Sequence, residues 1–393
     1  MICSENMNAE LPTKRWCSYV PRPVSNEDVQ ALRALLADYT EAEIRQALSV
    51  ETVEVNLTPF ADGLAGDSIA SPLHSLVRLF HGLYTNAAEL PAVTLSLLDR
   101  LGLIAYDEDF PSLIYATVAI FRVAGELTVC DRGGSPDGSD YPAAPDIVYP
   151  PVFENTLQYL ASLPSTPCEA MLEIGTGSGI AALLGARHAK HVWATDITAR
   201  AVHFSLLNCR LAGLDNITVR EGDLYHPVDG LTFDRIAIHP PWAPAAQSQF
   251  AYANGGEDGE TVISGAVEGL PRFLRPGGRF HATLLSSDRN GERFEQRVRR
   301  WLGTAENQFD IAVAVLSCDS PQGFLAQNLT RGSICEADIP MWTQLLETNR
   351  TETVLYAHLI VQRHKGEREP ATVRVQTAVE SNAPYLEGLL AAE

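Results

Sequence analysis

The sequence offers little that would tie it to a membrane, an oxidising compartment or a nucleic acid. No run approaches the ~20 apolar residues of a bilayer span; the best, SLIYATVAIF from Ser112, is about half that length. The seven cysteines, at positions 3, 17, 130, 168, 209, 318 and 335, form neither the close pairs of a zinc site nor a compact disulfide framework. They read as reduced thiols of a cytoplasmic protein, and no metal is expected. MICSENMNAELPTKRW at the start lacks a basic segment followed by an apolar one, so no secretory signal is expected. Positive charge is scarce: 29 Lys+Arg stand against 49 Asp+Glu, a formal net charge of −20. Such a surface repels phosphate backbones, which argues against a nucleic-acid partner.

What is present is a chain of 393 residues, 46% hydrophobic, long enough for two domains and a sizeable core. Ser25 with Asp28, and Thr40 with Glu43, have the spacing of helix-capping boxes. Ser71-Pro72 opens a third helix and PAVTLSLLDRLG reads as a fourth that stops at Gly102. LIYATVAIFRVAGELTVC, residues 113 to 130, reads as two strands joined around Ala124-Gly125. Helices followed by a hairpin suggest a winged-helix-like module over residues 1–135. Residues 1–150 hold 9 Lys+Arg and 21 Asp+Glu, a net of −12, whereas a phosphate-reading wing should be basic. A lid over an active site, a homodimer surface, or both, fit the module better. Residues 136–146, rich in Gly, Pro and Ser, form the expected linker to a second domain over 147–393.

From residue 147 apolar strands alternate with helices, which implies right-handed βαβ units and an open parallel sheet. Ligands of such sheets bind beyond the carboxyl ends of the strands. LEIGTGSG puts Gly175, Gly177 and Gly179 at the first strand-to-helix turn, where backbone can approach a ligand closely and a helix N-terminus offers free N–H groups. That turn serves dinucleotides and other nucleosides alike. Asp196 ends the second strand 21 residues beyond Gly175, the spacing that sets a carboxylate beside ribose hydroxyls. Asp223 ends the third strand and can accept from an adenine amino group. The fourth strand runs into His239-Pro240-Pro241-Trp242, a corner stiffened by two prolines.

With that corner the sequence resembles the class I S-adenosylmethionine-dependent methyltransferases over residues 147 to about 363. It is most similar to the branch with an Asn-Pro-Pro-Tyr type motif, which includes the release-factor glutamine methyltransferases and adenine N6-methyltransferases. The resemblance implies an α/β, Rossmann-like, seven-stranded sheet and S-adenosylmethionine as cofactor, with S-adenosylhomocysteine as product. It implies that Glu173, Gly175, Gly177 and Gly179 flank the methionine part, Asp196 the ribose and Asp223 the adenine, with Thr176, Ile197 and Leu224 beside them in the same loops. YPPVFENT, residues 149–156, sits where the glutamine methyltransferases carry a stretch near the cofactor, and places Thr156 there. NGGEDG, residues 254–259, echoes their glycine-aspartate stretch, and LRPGGRF the turn before the fifth strand. FDIAVAVLSC and TETVLYAHLIVQRH fit the fold's final hairpin, with a helix inserted before the last strand.

In the resembling enzymes the motif's asparagine holds an amide or amino nitrogen, the prolines fix its geometry and the aromatic packs on the acceptor. Positioning can supply ~7–11 kcal/mol of such a transfer. Here His239 replaces the asparagine. A neutral imidazole can take a proton from a hydroxyl or amine acceptor, so His239 is expected to orient or deprotonate the acceptor and Trp242 to wall it. Pro240, Pro241, Glu154, Asn155 and Tyr252 are expected around the acceptor. The main expectation is a small-molecule O- or N-methyltransferase. Methylation of a protein glutamine or of RNA is the alternative, and a non-catalytic cofactor-binding regulator the third reading. The basic stretch at residues 288 to 300 reads as a solvated helix face.

Overall fold

A computed structural model describes residues 16–48, 71–137, 143–243, 250–331, 334–377 and 382–390. Cys3, residues 138–142 of the expected linker and Pro244 beyond the proline corner lie outside the described residues. The N-terminal unit holds α1 (Asn26–Leu35), α2 (Glu41–Leu48), α3 (Pro72–Phe80), β1 (Thr85–Asn86), α4 (Ala92–Arg100), β2 (Ile104–Tyr106), β3 (Leu113–Ala116), β4 (Val118–Val123) and β5 (Glu126–Asp131). Its caps follow from the sequence: the hydroxyls of Ser25, Thr40 and Ser71 accept from the backbone N–H groups of Asp28, Glu43 and His74. The stretch 113–130 divides differently from the expected two strands. Thr117 is held by Leu103 and Gly102, so β3 pairs with β1 and β2, while β4 and β5 form the hairpin turned at Ala124-Gly125.

The second half begins with α5 (Glu154–Ser162), β6 (Cys168–Ile174), α6 (Ile180–Ala186), β7 (Ala189–Asp196), α7 (Ala199–Ala212), β8 (Ile217–Glu221) and β9 (Phe233–Ile238). It continues through α8 (Thr261–Glu268), α9 (Leu270–Phe273), β10 (Leu274–Arg289), α10 (Phe294–Trp301), β11 (Phe309–Asp319), α11 (Pro321–Thr330), α12 (Ile339–Thr348), β12 (Thr351–Arg363), β13 (Thr372–Gln376) and α13 (Ala383–Gly388). The sheet runs β13-β11-β12-β10-β9-β6-β7-β8. Strands β8 to β10 are mutually parallel across β7, β6 and β9, whereas β12 is antiparallel to both its neighbours. This is the Rossmann-like α/β fold expected, with eight strands in place of seven. The added β13 lies parallel to β11 at the edge, and α13 covers that end, its Leu386 packed on Ala312, Ala314 and Ile360.

Strand alternation gives the sheet two apolar faces. One packs Leu172, Ile236, Phe280 and Leu359 under α8 and α10. The other carries Met171, Val192 and Ala237 into a cluster that runs without a break through Leu183 and Phe204 to Ile120, Phe80 and Leu32 of the N-terminal unit. The basic stretch is not a solvated face throughout. Arg297 on α10 is 2% exposed and grips the buried carboxylate of Glu260, which Arg289 also holds. Two acids and two guanidiniums, completed by Asp258, thereby pin the loop before α8. Among the described residues no helix is long and apolar enough to cross a membrane.

Candidate functional site

The carboxyl ends of β6, β7, β8 and β9 bring Gly175, Asp196, Asp223 and His239 to one edge of the sheet. In the turn after β6, Gly175, Gly177 and Gly179 all take positive φ, and a Cβ added at Gly175 or Gly177 would meet nothing within 4 Å. The space in front of the turn is open. Behind it the packing is tight: a Cβ at Gly179 would stand 2.5 Å from Ser205 Oγ, so only glycine lets α6 start this close to α7. Thr176 donates its backbone N–H to Thr195 (2.9 Å) and its hydroxyl to Glu173 (2.6 Å). Glu173 is 3% exposed, and burial pushes its carboxyl up to about 8 against the pull of Thr176. It therefore braces the turn from behind as a neutral acid.

Asp196 is held in place by the loops it joins. One carboxylate oxygen accepts from Gly177 N (2.9 Å), the other from the N–H and hydroxyl of Thr198 (both 3.0 Å). Next to it Ile197 is 63% exposed, an apolar lip at the rim of the open space. Asp223 is exposed at the end of the β8 turn. Leu224 takes φ +44, held there because its carbonyl accepts from the Thr195 hydroxyl (3.1 Å) and its side chain fills the space beside Gly265. Open glycine backbone, a fixed carboxylate and an apolar lip suit a nucleoside cofactor with a charged tail.

The proline corner continues β9. Ile238 pairs with Ile174 on one side and Ala282 on the other, which puts His239 beside Gly175 and Thr283. Its ring stacks on Tyr159 of α5, centroids 5.2 Å apart and planes at 22°. Among the described residues the His239 ring makes no hydrogen bond. The packing around it, with His358 nearby, lowers its pKa to about 4. At neutral pH the imidazole is therefore uncharged, with a lone pair to offer. Pro240 is buried, and Pro241 is pressed by the glycine-aspartate stretch: a Cβ at Gly255 would lie 2.9 Å from the Pro241 carbonyl. Ala243 and Gly255 close that contact with hydrogen bonds of 2.8 Å to Ala253 O and 2.6 Å to Ala243 O.

Trp242, expected as a wall on the acceptor, has a definite packing partner. It turns to Trp342 on α12, centroids 6.0 Å apart, in a cluster with Phe324, Leu346 and Val354. A ladder of rings, Phe153, Tyr149, Tyr252 and Phe250, has successive centroids 4.4, 4.7 and 5.6 Å apart. Glu154 lies exposed at the start of α5, bonded to Gln158 (3.0 Å); Asn155 turns its side chain to the N–H of Thr156 (2.9 Å), and Thr156 itself is buried.

Several polar residues of this region escaped the sequence reading. Beneath α5, Thr283 bonds His358 Nδ1 at 2.8 Å across the β10–β12 pair and lies 3.4 Å from Ser162 Oγ. Among the described residues, the Tyr159 hydroxyl, His358 Nε2 and both ring nitrogens of His281 are buried without a hydrogen-bond partner. Burial, and then the charges of Arg235 and Arg279, hold His281 down to about 3; burial holds His358 to about 4. The available signal was a lone histidine inside each of two apolar strands, GRFHATLL and LYAHLIV.

Residues 154–284 match the family described as the methyltransferase small domain. Among curated proteins, the chain is 32% identical over 154 residues to a putative protein N5-glutamine methyltransferase of Methanocaldococcus jannaschii, covering 37% of this chain and 75% of the relative. It is 29% identical over 161 residues to a ribosomal protein uL3 glutamine methyltransferase of Bradyrhizobium diazoefficiens, covering 37% and 50%. A release factor glutamine methyltransferase of Geobacter sulfurreducens is 27% identical over 154 residues, covering 36% and 54%. The chain thus spans about three quarters of the first relative and about half of the other two. These relatives are named for protein acceptors, which overturns the expectation of a small-molecule substrate and partner. The chain belongs to the S-adenosylmethionine-dependent methyltransferases, in the branch of the protein glutamine methyltransferases.

Proposed function

We propose that the protein methylates the side-chain amide nitrogen of a glutamine in a protein substrate. The observation that carries this reading is the uncharged, unbonded imidazole of His239 beside Gly175. An amide NH2 offers two donors and needs acceptors to hold it. In place of the branch's asparagine, one ring nitrogen of His239 receives an amide N–H, and a backbone carbonyl of the corner receives the other. A protonated imidazole would have no lone pair to offer and would repel the positive sulfonium, so its depressed pKa suits the task. S-Adenosylmethionine, when bound, supplies a methyl group activated by that sulfonium. The turn at Gly175–Gly179 would hold its methionine part, Asp196 and Ile197 its ribose, and Asp223 with Leu224 its adenine.

The amide's flat face would lie against Tyr149 and Tyr252, whose rings stack 4.7 Å apart. After attack the nitrogen has a proton to lose, and a site open to solvent at the strand ends can release it without a strong base. The formal charge of −20 favours a basic protein acceptor over an RNA. The test is transfer from methyl-labelled S-adenosylmethionine to ribosomal proteins and release factors of the same organism, with Asp196→Ala as control. N-methylglutamine in the hydrolysed protein fraction is the expected result; label in RNA alone would overturn the reading.

A further inference from the structure

We infer that the β4–β5 hairpin of the N-terminal unit is a working part of the cofactor site, setting the affinity for S-adenosylmethionine through Asn208 and Asp131. The inference rests on the cofactor class and is independent of the acceptor's identity.

Asn208 lies in the middle of α7 and is fully buried. Its side-chain oxygen accepts from Val129 N (2.9 Å), and its amide nitrogen donates to Val129 O (2.8 Å) and to Ser178 O (2.8 Å). Val129 belongs to β5, and both its backbone groups go to this one side chain. The amide thus completes the free edge of the hairpin as one residue of a third strand would. Ser178 is in the glycine turn, between Gly177 and Gly179. One buried side chain therefore joins the hairpin's backbone to the loop that faces the cofactor. Ser205, three residues earlier on the same face of α7, is what Gly179 packs against.

A second tie reaches the other cofactor loop. Asp131, at the end of β5, pairs with Arg200 in the first turn of α7, with side chains 3% and 10% exposed. Arg200 Nε donates to Asp131 Oδ2 (2.7 Å), and the same guanidinium donates to Tyr19 O (2.9 Å). Arg200 follows Asp196 by four residues, through Thr198, which bonds Asp196 and caps α7. Asp131 also accepts from Val148 N (2.8 Å), next to the ring ladder at Tyr149. The hairpin touches neither cofactor nor acceptor; it fixes the turn, the ribose loop and the approach to the acceptor wall from behind. Asn208 and Asp131 are positioning residues. A free loop must be ordered when a ligand binds, and a loop already held carries no such cost.

Calorimetric binding of S-adenosylmethionine to the full chain tests this, with Asn208→Ala and Asp131→Asn compared with wild type. Expected is a loss of affinity of at least about fivefold for each variant, at the lower end of coupling between distinct sites. Amide exchange at residues 176–179 should quicken in Asn208→Ala, while β11 and β12 stay protected. The milder Asp131→Asn keeps the shape of the side chain and guards against a fold lost in the first variant. A purely structural tie would lower the melting temperature of the ligand-free protein and leave the affinity of the folded protein within about twofold. That outcome in both variants would overturn the inference.

Discussion

The glycine turn and the proline corner stand one strand apart, yet they are built by different means. Around the turn, the loops facing one another do the holding, Thr176 to Thr195, Asp196 to Gly177 and Thr198, Gly179 against Ser205, with Asn208 and the hairpin backing them. At the corner the reacting geometry depends on side chains from distant segments, Tyr159 from α5 and His358 from β12. The first arrangement is complete before a ligand arrives. The second, among the described residues, leaves the His239 imidazole without a hydrogen bond.

The widest separation between the two regions should come from one substitution in each. Asp196→Ala removes the brace of the turn and should weaken cofactor binding about 100-fold, whereas His239→Ala should lower turnover about 100-fold with cofactor affinity kept within about twofold. Equal losses of affinity in both would erase the distinction. Next comes the stack on His239. Tyr159→Leu removes the ring that sets the imidazole plane and should cost about tenfold in turnover, while Tyr159→Phe, which keeps the ring, should cost about twofold.

The pH response sharpens the same contrast. His239 is neutral above about 4, so the acid limb of turnover should lie near that value; a limb near 6.5 would show an ordinary, exposed imidazole. Glu173, on the turn side, works in the opposite sense. Its folded value of about 8 exceeds the ordinary 4.5, so the stability linked to its protonation is full below 4.5 and is lost as pH rises through 8. Thermal melts at pH 5 and pH 9 should therefore diverge in the wild type and draw together in Glu173→Gln. The smallest effect is expected from Trp242→Phe: the ring packs on Trp342, away from the acceptor ladder, so turnover should stay within about threefold of wild type. A loss comparable to that of His239→Ala would return Trp242 to the acceptor.

These differences also explain what was legible in the sequence. Gly175, Gly177, Gly179 and Asp196 could be read because their partners lie within a single βαβ unit and the chemistry imposes their spacing. The open sheet was legible for the same reason, from strands and helices in alternation. Tyr159, Thr283 and His358 could not be read as one group: they come together only through the β10–β12 pairing and the seating of α5, which no local pattern records. The packing of Trp242 could not be read because Trp342, its neighbour, is a hundred residues further on. Arg297 seemed solvated because Glu260 approaches it from another loop. The edge strand β13 had no signal beyond five residues of alternating character, TVRVQ.

The apolar cluster that runs from Leu32 and Phe80 through Ile120 to Leu183 and Phe204 bears on how this protein could be divided. A cut between residues 136 and 146 would split a single interior, leaving each fragment with a bare hydrophobic wall. Neither half should survive alone in dilute solution. Expressed together, the two should find each other and restore one cooperative melt, because the seam in the chain is not a seam in the fold.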